Sequence, residues 1–303
     1  MVVAALFYAF YAVFVKYSGF EGIGSWEILF FRSIFGVVLF YGVMRFSGIT
    51  LSTTHPWQHL IRSMCGTLSI ICGIYSVSHL NIGLAMTLNY TSPSVPNSLE
   101  RDGAGRSSEC KLRQIKAMCN WGLMAMVLFG FIGVVIMLGP TIGPHEYYAA
   151  VVGLAAGFFT ANATTFVKKL GMLHEPETRI IFYLVLVGAI CGLIGTFLTG
   201  GFHPWSGKGA LYILGLCICA TGGQFCLTRA FSRGNLVLSS SLQYTVILFS
   251  TILGEILFLE PATLPVICGM LIIVFSGLMS SYFVRRENKF LKEKVKTSQS
   301  KTA

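Results

Sequence analysis

Apolar positions gather along this chain into ten runs, over residues 2–15, 26–44, 61–78, 81–95, 118–138, 147–167, 180–198, 210–227, 236–257 and 264–284. Turn formers separate them, including Gly139-Pro140, Gly143-Pro144, Glu175-Pro176 and Glu260-Pro261. Runs of up to about 20 residues approach the span of a roughly 30 Å hydrocarbon core. Only helices or closed barrels satisfy their backbone there, and runs of this length, not alternating ten-residue stretches, select helices. The pattern predicts an all-α integral membrane protein of about ten transmembrane helices.

Composition agrees. Hydrophobic residues make up 54% of the chain and charged residues only 11%, with 24 Phe and a mean hydropathy of +0.71, against roughly 25% charged in ordinary globular domains. The first run is not a cleaved signal peptide, because Lys16 follows it and no small-residue cleavage site flanks it. It begins at Met1 without a lead, which suggests a true start further upstream.

Basic residues test the helix count, since they accumulate in cytoplasmic loops. With a cytoplasmic N-terminus, nineteen of the 22 Lys and Arg fall inside, among them Arg45, Arg62, Arg101, Lys168, Arg179, Arg233 and the tail from Arg285. Lys16 and Lys208 fall outside, and Arg32 falls within the second run. Both termini are therefore expected to be cytoplasmic. The net charge of +10 is then topological signal plus a basic tail over 285–303 facing water or lipid headgroups. Nucleic-acid binding is excluded, for want of an aromatic-rich soluble module.

The chain also repeats itself. Residues 65–91 and 219–245 align without a gap at an offset of 154, agreeing at Cys65/Cys219, Thr67/Thr221, Cys72/Cys226, Ser78/Ser232, Asn81/Asn235, Leu84/Leu238, Leu88/Leu242, Tyr90/Tyr244 and Thr91/Thr245. Five crossings per copy, an odd number, turn the second copy over. The expectation is two inverted repeats, 1–138 and 144–284, with a site near the midplane between them and alternating access as the mechanism.

Nine cysteines form no CxxC and lie mostly in apolar runs, so they read as small packing residues. Gly153/Gly157 and Gly188/Gly192 have GxxxG spacing for close helix contact. Packing within the chain is the favoured use, with a homodimer as the alternative.

The stretches WEILFFRSIFGVV (26–38), LAMTLNYTSP (84–93), GFIGVVIML (130–138) and above all 227–278 resemble EamA-type permeases of the drug/metabolite transporter superfamily. The resemblance covers nearly the whole chain. It implies ten helices in two EamA units that move small metabolites or drugs across the bacterial inner membrane. Arg32 matches the family's second-helix arginine, Pro93 its fourth-helix Thr-Ser-Pro, Tyr244 its ninth-helix tyrosine and Gly254-Glu255 its Gly-Glu pair. One window departs: over 94–117, where the fourth helix should finish, eight charges occur in 24 residues. A pair of compensating frameshifts or a sequencing error is the reading slightly preferred to an enlarged cytoplasmic loop, and translating the other two frames tests it.

Polar groups inside the membrane are the default binding candidates, because burying them costs about 2.5–3.5 kcal/mol for an arginine at a helix centre. Arg32 could hold a substrate carboxylate or pair with a protein acid such as Glu255. Asn89 and Tyr90, with their repeat counterparts Gln243 and Tyr244, are expected to face the cavity and offer amides, phenols and rings; the competing use is glue between helices. Gln224 in the eighth run is a further candidate, as is Asn162. No cofactor is expected. Glu27 and Glu255 are the only intramembrane acids available for ion coupling.

The competing class is a membrane-embedded, metal-dependent enzyme. His55 and His59 have HxxxH spacing, yet Pro56 disfavours a helix at His55, and the other histidines are isolated. No GxSxG elbow or P-loop occurs. The sequence thus predicts a permease for a small-molecule solute, not an enzyme.

Overall fold

The computed structural model describes residues 1–90, 146–234, 236–259 and 263–279, with 129–130, 132–133, 135–136 and Tyr282. Among these residues the secondary structure is helical, with no strand. In chain order the helices are α1 (Val2–Phe20), α2 (Ser25–Phe46), α3 (Pro56–His79), α4 (Ile82–Tyr90), α5 (Tyr147–Met172), α6 (Glu177–Leu198), α7 (Gly207–Arg233), α8 (Leu236–Gln243), α9 (Thr245–Phe258) and α10 (Leu264–Met279). Six of them, α1, α2, α3, α5, α6 and α7, are long and apolar enough to cross a membrane. The window 94–117 and most of the fifth run lie outside the described residues.

Local chemistry sets the ends. Gly22, at a φ of 78°, turns the chain out of α1. Glu27 then accepts a hydrogen bond from the Gly24 amide at 3.3 Å, one of the free donors at the start of α2. Pro56 opens α3 at a position where its missing N–H costs nothing. Ser206 caps α7 by accepting from the Gly209 amide at 3.1 Å.

Two boundaries differ instructively from the sequence reading. Helix α1 runs on to Phe20, because Lys16 reaches the Leu80 carbonyl at 3.1 Å and Ser18 is fully buried. The ninth run is two helices that meet at Tyr244. There the Thr245 hydroxyl donates to the Leu242 carbonyl at 2.7 Å, and the Ile247 amide turns back only three residues, to Tyr244.

Helix α2 packs on α6, α3 on α5, α1 on α7 and α9, and α4 on α5 and α9. Lipid tails are as apolar as leucine, so close contact and not water exclusion has to hold such a bundle together. The glycine pairs supply it. A Cβ at Gly157 would come within 2.8 Å of the Leu88 carbonyl on α4, and one at Gly192 within 2.7 Å of the Phe30 amide on α2. The GxxxG spacings therefore serve contacts inside the chain. Large apolar side chains such as Val38, Phe158, Ile194, Phe197, Leu211, Ile252 and Leu271 cover the outside, an apolar belt that suits lipid.

Candidate functional site

Inside the bundle a cavity of about 90 Å³ opens, walled by residues of all eight helices from α1 to α8. Its lining carries many polar side chains for so apolar a chain. Arg32 and Arg62, Tyr8, Tyr11 and Tyr90, Asn89, Gln224 and Gln243, and Ser69, Thr160 and Thr164 all contribute. Among the described residues, no acidic side chain lines it.

Each wall has its own hydrogen bonds. Arg32, 4% exposed, donates from Nη1 to the Tyr11 hydroxyl at 3.0 Å, and its guanidinium lies 5.1 Å from the centre of that ring. The Tyr8 hydroxyl donates to Gln224 Oε1 at 2.9 Å, and Gln224 Nε2 donates to Thr228 at 3.3 Å. Across the cavity Thr160 donates to Asn89 Oδ1 at 2.9 Å and meets the Ser69 hydroxyl at 2.5 Å. Tyr90 is hydrogen-bonded with Gln243, so α4 and α8 touch at the cavity.

Five of the six candidates from the sequence, Arg32, Asn89, Tyr90, Gln224 and Gln243, line this cavity. Tyr244 does not, and its ring lies against Gly277 of α10, where a side chain would collide with it. Asn162 bonds to the Phe158 carbonyl of its own helix. Arg32 bonds to Tyr11, and Glu255 is exposed.

Arg62 is a correction. The sequence reading placed it in a cytoplasmic loop, whereas it is 2% exposed within α3 and faces the cavity. Taking Pro56 as the first helical residue would have put it more than one turn inside. Tyr8 and Tyr11 were also missed. Their spacing of three puts both on one face of α1, a signal hidden among the other aromatic residues of that run.

Polar contacts close the bundle at both ends. At one, Glu27, 1% exposed, accepts from the His203 amide at 2.6 Å and lies 3.0 Å from its ring, while Ser206 donates to Glu21 at 2.6 Å. At the other, Glu175 accepts from Thr53 at 2.6 Å and Arg179 at 2.7 Å, with His59 at 3.7 Å. Burial alone would push the Glu175 pKa up. The hydrogen bonds from Thr53 and Arg179, with the charges of Arg179 and His59, outweigh this and hold it below its ordinary value. Among the described residues, no group of three His, Cys, Asp or Glu is placed to hold a metal ion.

Residues 147–282 match the EamA-like transporter family. The chain is 28% identical to the pseudopaline exporter CntI of Pseudomonas aeruginosa over 82% of this chain and 83% of that one. It is 22% identical to the S-adenosylmethionine uptake transporter of Rickettsia bellii, over 93% and 91%. With the riboflavin transporter of Vibrio cholerae the identity is 23%, over 77% and 74%. A solved crystal structure of 13% identity superposes with a TM-score of 0.63 over 94% of this chain and 96% of that one, which shows a common fold. By its match to the EamA-like transporter family over residues 147–282, its similarity to named transporters and its apolar helices, the chain is a multi-pass membrane permease for small solutes that resembles the EamA-type transporters.

Proposed function

We propose that this permease binds a small polar solute in the central cavity and carries it across the cytoplasmic membrane by alternating access, through two inverted five-helix repeats with both termini cytoplasmic. The observation that carries the reading is a cavity with many polar side chains inside an otherwise apolar bundle. A cavity lined by residues from many helices is the usual place for a solute in proteins built from inverted repeats.

The packing pattern supports the two-repeat arrangement. At the offset of 154, α4 falls on α8 and α3 on α7, while α2 falls close to α6. The contact of α1 with α7 then has its counterpart in that of α5 with α3, and that of α5 with α4 has its counterpart in that of α1 with α8. Helices α2 and α6, equivalent to each other, pack directly together. Asn89 and Gln243, equivalent in the repeat, both line the cavity.

The cavity's size supports movement. Its 90 Å³ holds only a few waters, whereas sites for drug-sized ligands measure roughly 300–1,000 Å³. A larger solute fits more readily when helices separate. Both export and uptake occur among the relatives, so the direction is left to experiment.

Membrane vesicles of both orientations, from cells with and without the protein, are offered a panel of labelled metabolites. The reading expects flux of at least one solute in the protein-containing vesicles, lowered by Asn89→Ala and by Gln224→Ala at equal abundance. Flux indifferent to both substitutions contradicts the cavity as the site.

A further inference from the structure

Among the described residues, neither arginine of the cavity has the acidic partner that a buried cation requires. Arg62 is 2% exposed, yet its Nε and Nη1 have no hydrogen-bond partner among the described residues. Gly66, one turn further along α3, leaves the space that its guanidinium occupies. Arg32 has the Tyr11 hydroxyl, a neutral group. Charges taken out of water are stable only when paired and hydrogen-bonded, and a buried guanidinium keeps its charge.

The described acids stand elsewhere. Glu27 is held by His203, Glu21 by Ser206, Glu175 by Arg179 and Thr53, and Glu177 by Arg233, while Glu146 precedes α5 and Glu255 is exposed. None of these faces the cavity. Helices α2 and α3 enter the bundle from opposite ends. Arg32 lies seven residues from the start of α2 and Arg62 six from that of α3, roughly 10 and 9 Å along their axes. The Tyr8 hydroxyl stands within electrostatic reach of both. The cavity thus offers cationic contacts from two depths, with phenol and amide donors between them.

We infer that the transported solute is an anion, a metabolite bearing carboxylate or phosphate groups, and that Arg62 and Arg32 supply its counter-charge. This assignment rests on the cavity being the transport site. The planar guanidinium fork suits an oxyanion in two-point contact. The solute cancels on entry a charge that the cavity walls do not neutralise.

The solute is found and tested in one experiment. A small-molecule cell extract is split on an anion exchanger, and each fraction is offered to proteoliposomes holding the full chain. Solutes accumulated above protein-free liposomes are identified by mass spectrometry. Accumulated solutes should come from the retained, anionic fraction. Arg62→Gln should lower that accumulation by about tenfold or more, the cost of losing a charged hydrogen bond. Where Arg62→Gln does not fold, Arg62→Lys is read instead; it keeps the charge without the fork and should weaken apparent affinity severalfold. Competition by succinate against competition by inorganic phosphate tells a carboxylate from a phosphate ligand.

Accumulation from the unretained fraction alone overturns the inference, as does wild-type transport by Arg62→Gln or unchanged affinity in Arg62→Lys. Thr160→Trp, which fills the cavity while keeping both arginines in the chain, separates the charge assignment from the site itself. If it stops the flux of a neutral solute, the site stands and only the charge assignment falls. If flux of any kind survives it, the cavity is not the transport site and both readings fall.

Discussion

Arg32 and Tyr11 show how a single buried contact divides between binding and structure. The arginine donates to a phenol at 3.0 Å, which leaves its charge available to a ligand. Arg32→Ala is expected to lower flux far more than membrane abundance, measured by transport and immunoblot on the same vesicles. Parallel loss of both makes it structural. Arg32→Lys should not restore flux, because a point charge does not replace the planar fork. The tyrosines of the repeat part company. Tyr90 lines the cavity, and Tyr244 packs on Gly277. Tyr90→Ala should raise the half-saturation concentration of the solute, whereas Tyr244→Ala should lower the thermal midpoint and leave that concentration unchanged. Residue chemistry was legible where a polar group interrupts an apolar run, as at Arg32, Asn89, Gln224 and Gln243. It was illegible at Arg62, whose depth depends on where α3 begins.

At the scale of the element, small residues decide how near two helices come. Gly192 lies so close to the α2 backbone at Phe30 that a side chain has no flexible neighbour to displace. Overpacking usually costs about 1–3 kcal/mol, and here the backbone itself must move. Gly192→Leu is therefore expected to lower the thermal midpoint of the purified protein by several degrees, and an unchanged midpoint would show that the contact is loose. The GxxxG spacing was visible in the sequence as a close-contact signal, but spacing names neither the partner helix nor the chain it belongs to. The break at Tyr244 was invisible for a related reason. Thr245 competes for the Leu242 carbonyl through its hydroxyl, and nothing in the hydrophobic pattern of 236–257 marks such a local choice.

For the whole molecule, apolar runs predicted the helical class, and a repeat at an offset of 154 pointed to a site between two halves. Which side chains close the ends was not legible, because the Glu175 and Glu27 contacts join residues more than 100 positions apart. The Glu175 cluster carries a pH dependence with a definite sign. A carboxyl held below its ordinary value stabilises the fold at higher pH, and that stability is lost as the pH falls through the folded-state value. The thermal midpoint should fall on acidification below the ordinary carboxylate range. Glu175→Gln should start lower at neutral pH and respond less to acid; identical profiles would show that the cluster contributes nothing. The claim that joins all three scales is that one cavity serves both faces of the membrane in turn. Gln224→Cys, in a chain whose native cysteines are replaced, tests it with a membrane-impermeant thiol reagent applied to either face of sealed vesicles. The account predicts that any one protein molecule is labelled from one face at a time, and that saturating solute changes the ratio between faces. Free passage of the reagent from both faces at once, or no labelling from either face with or without solute, would contradict it.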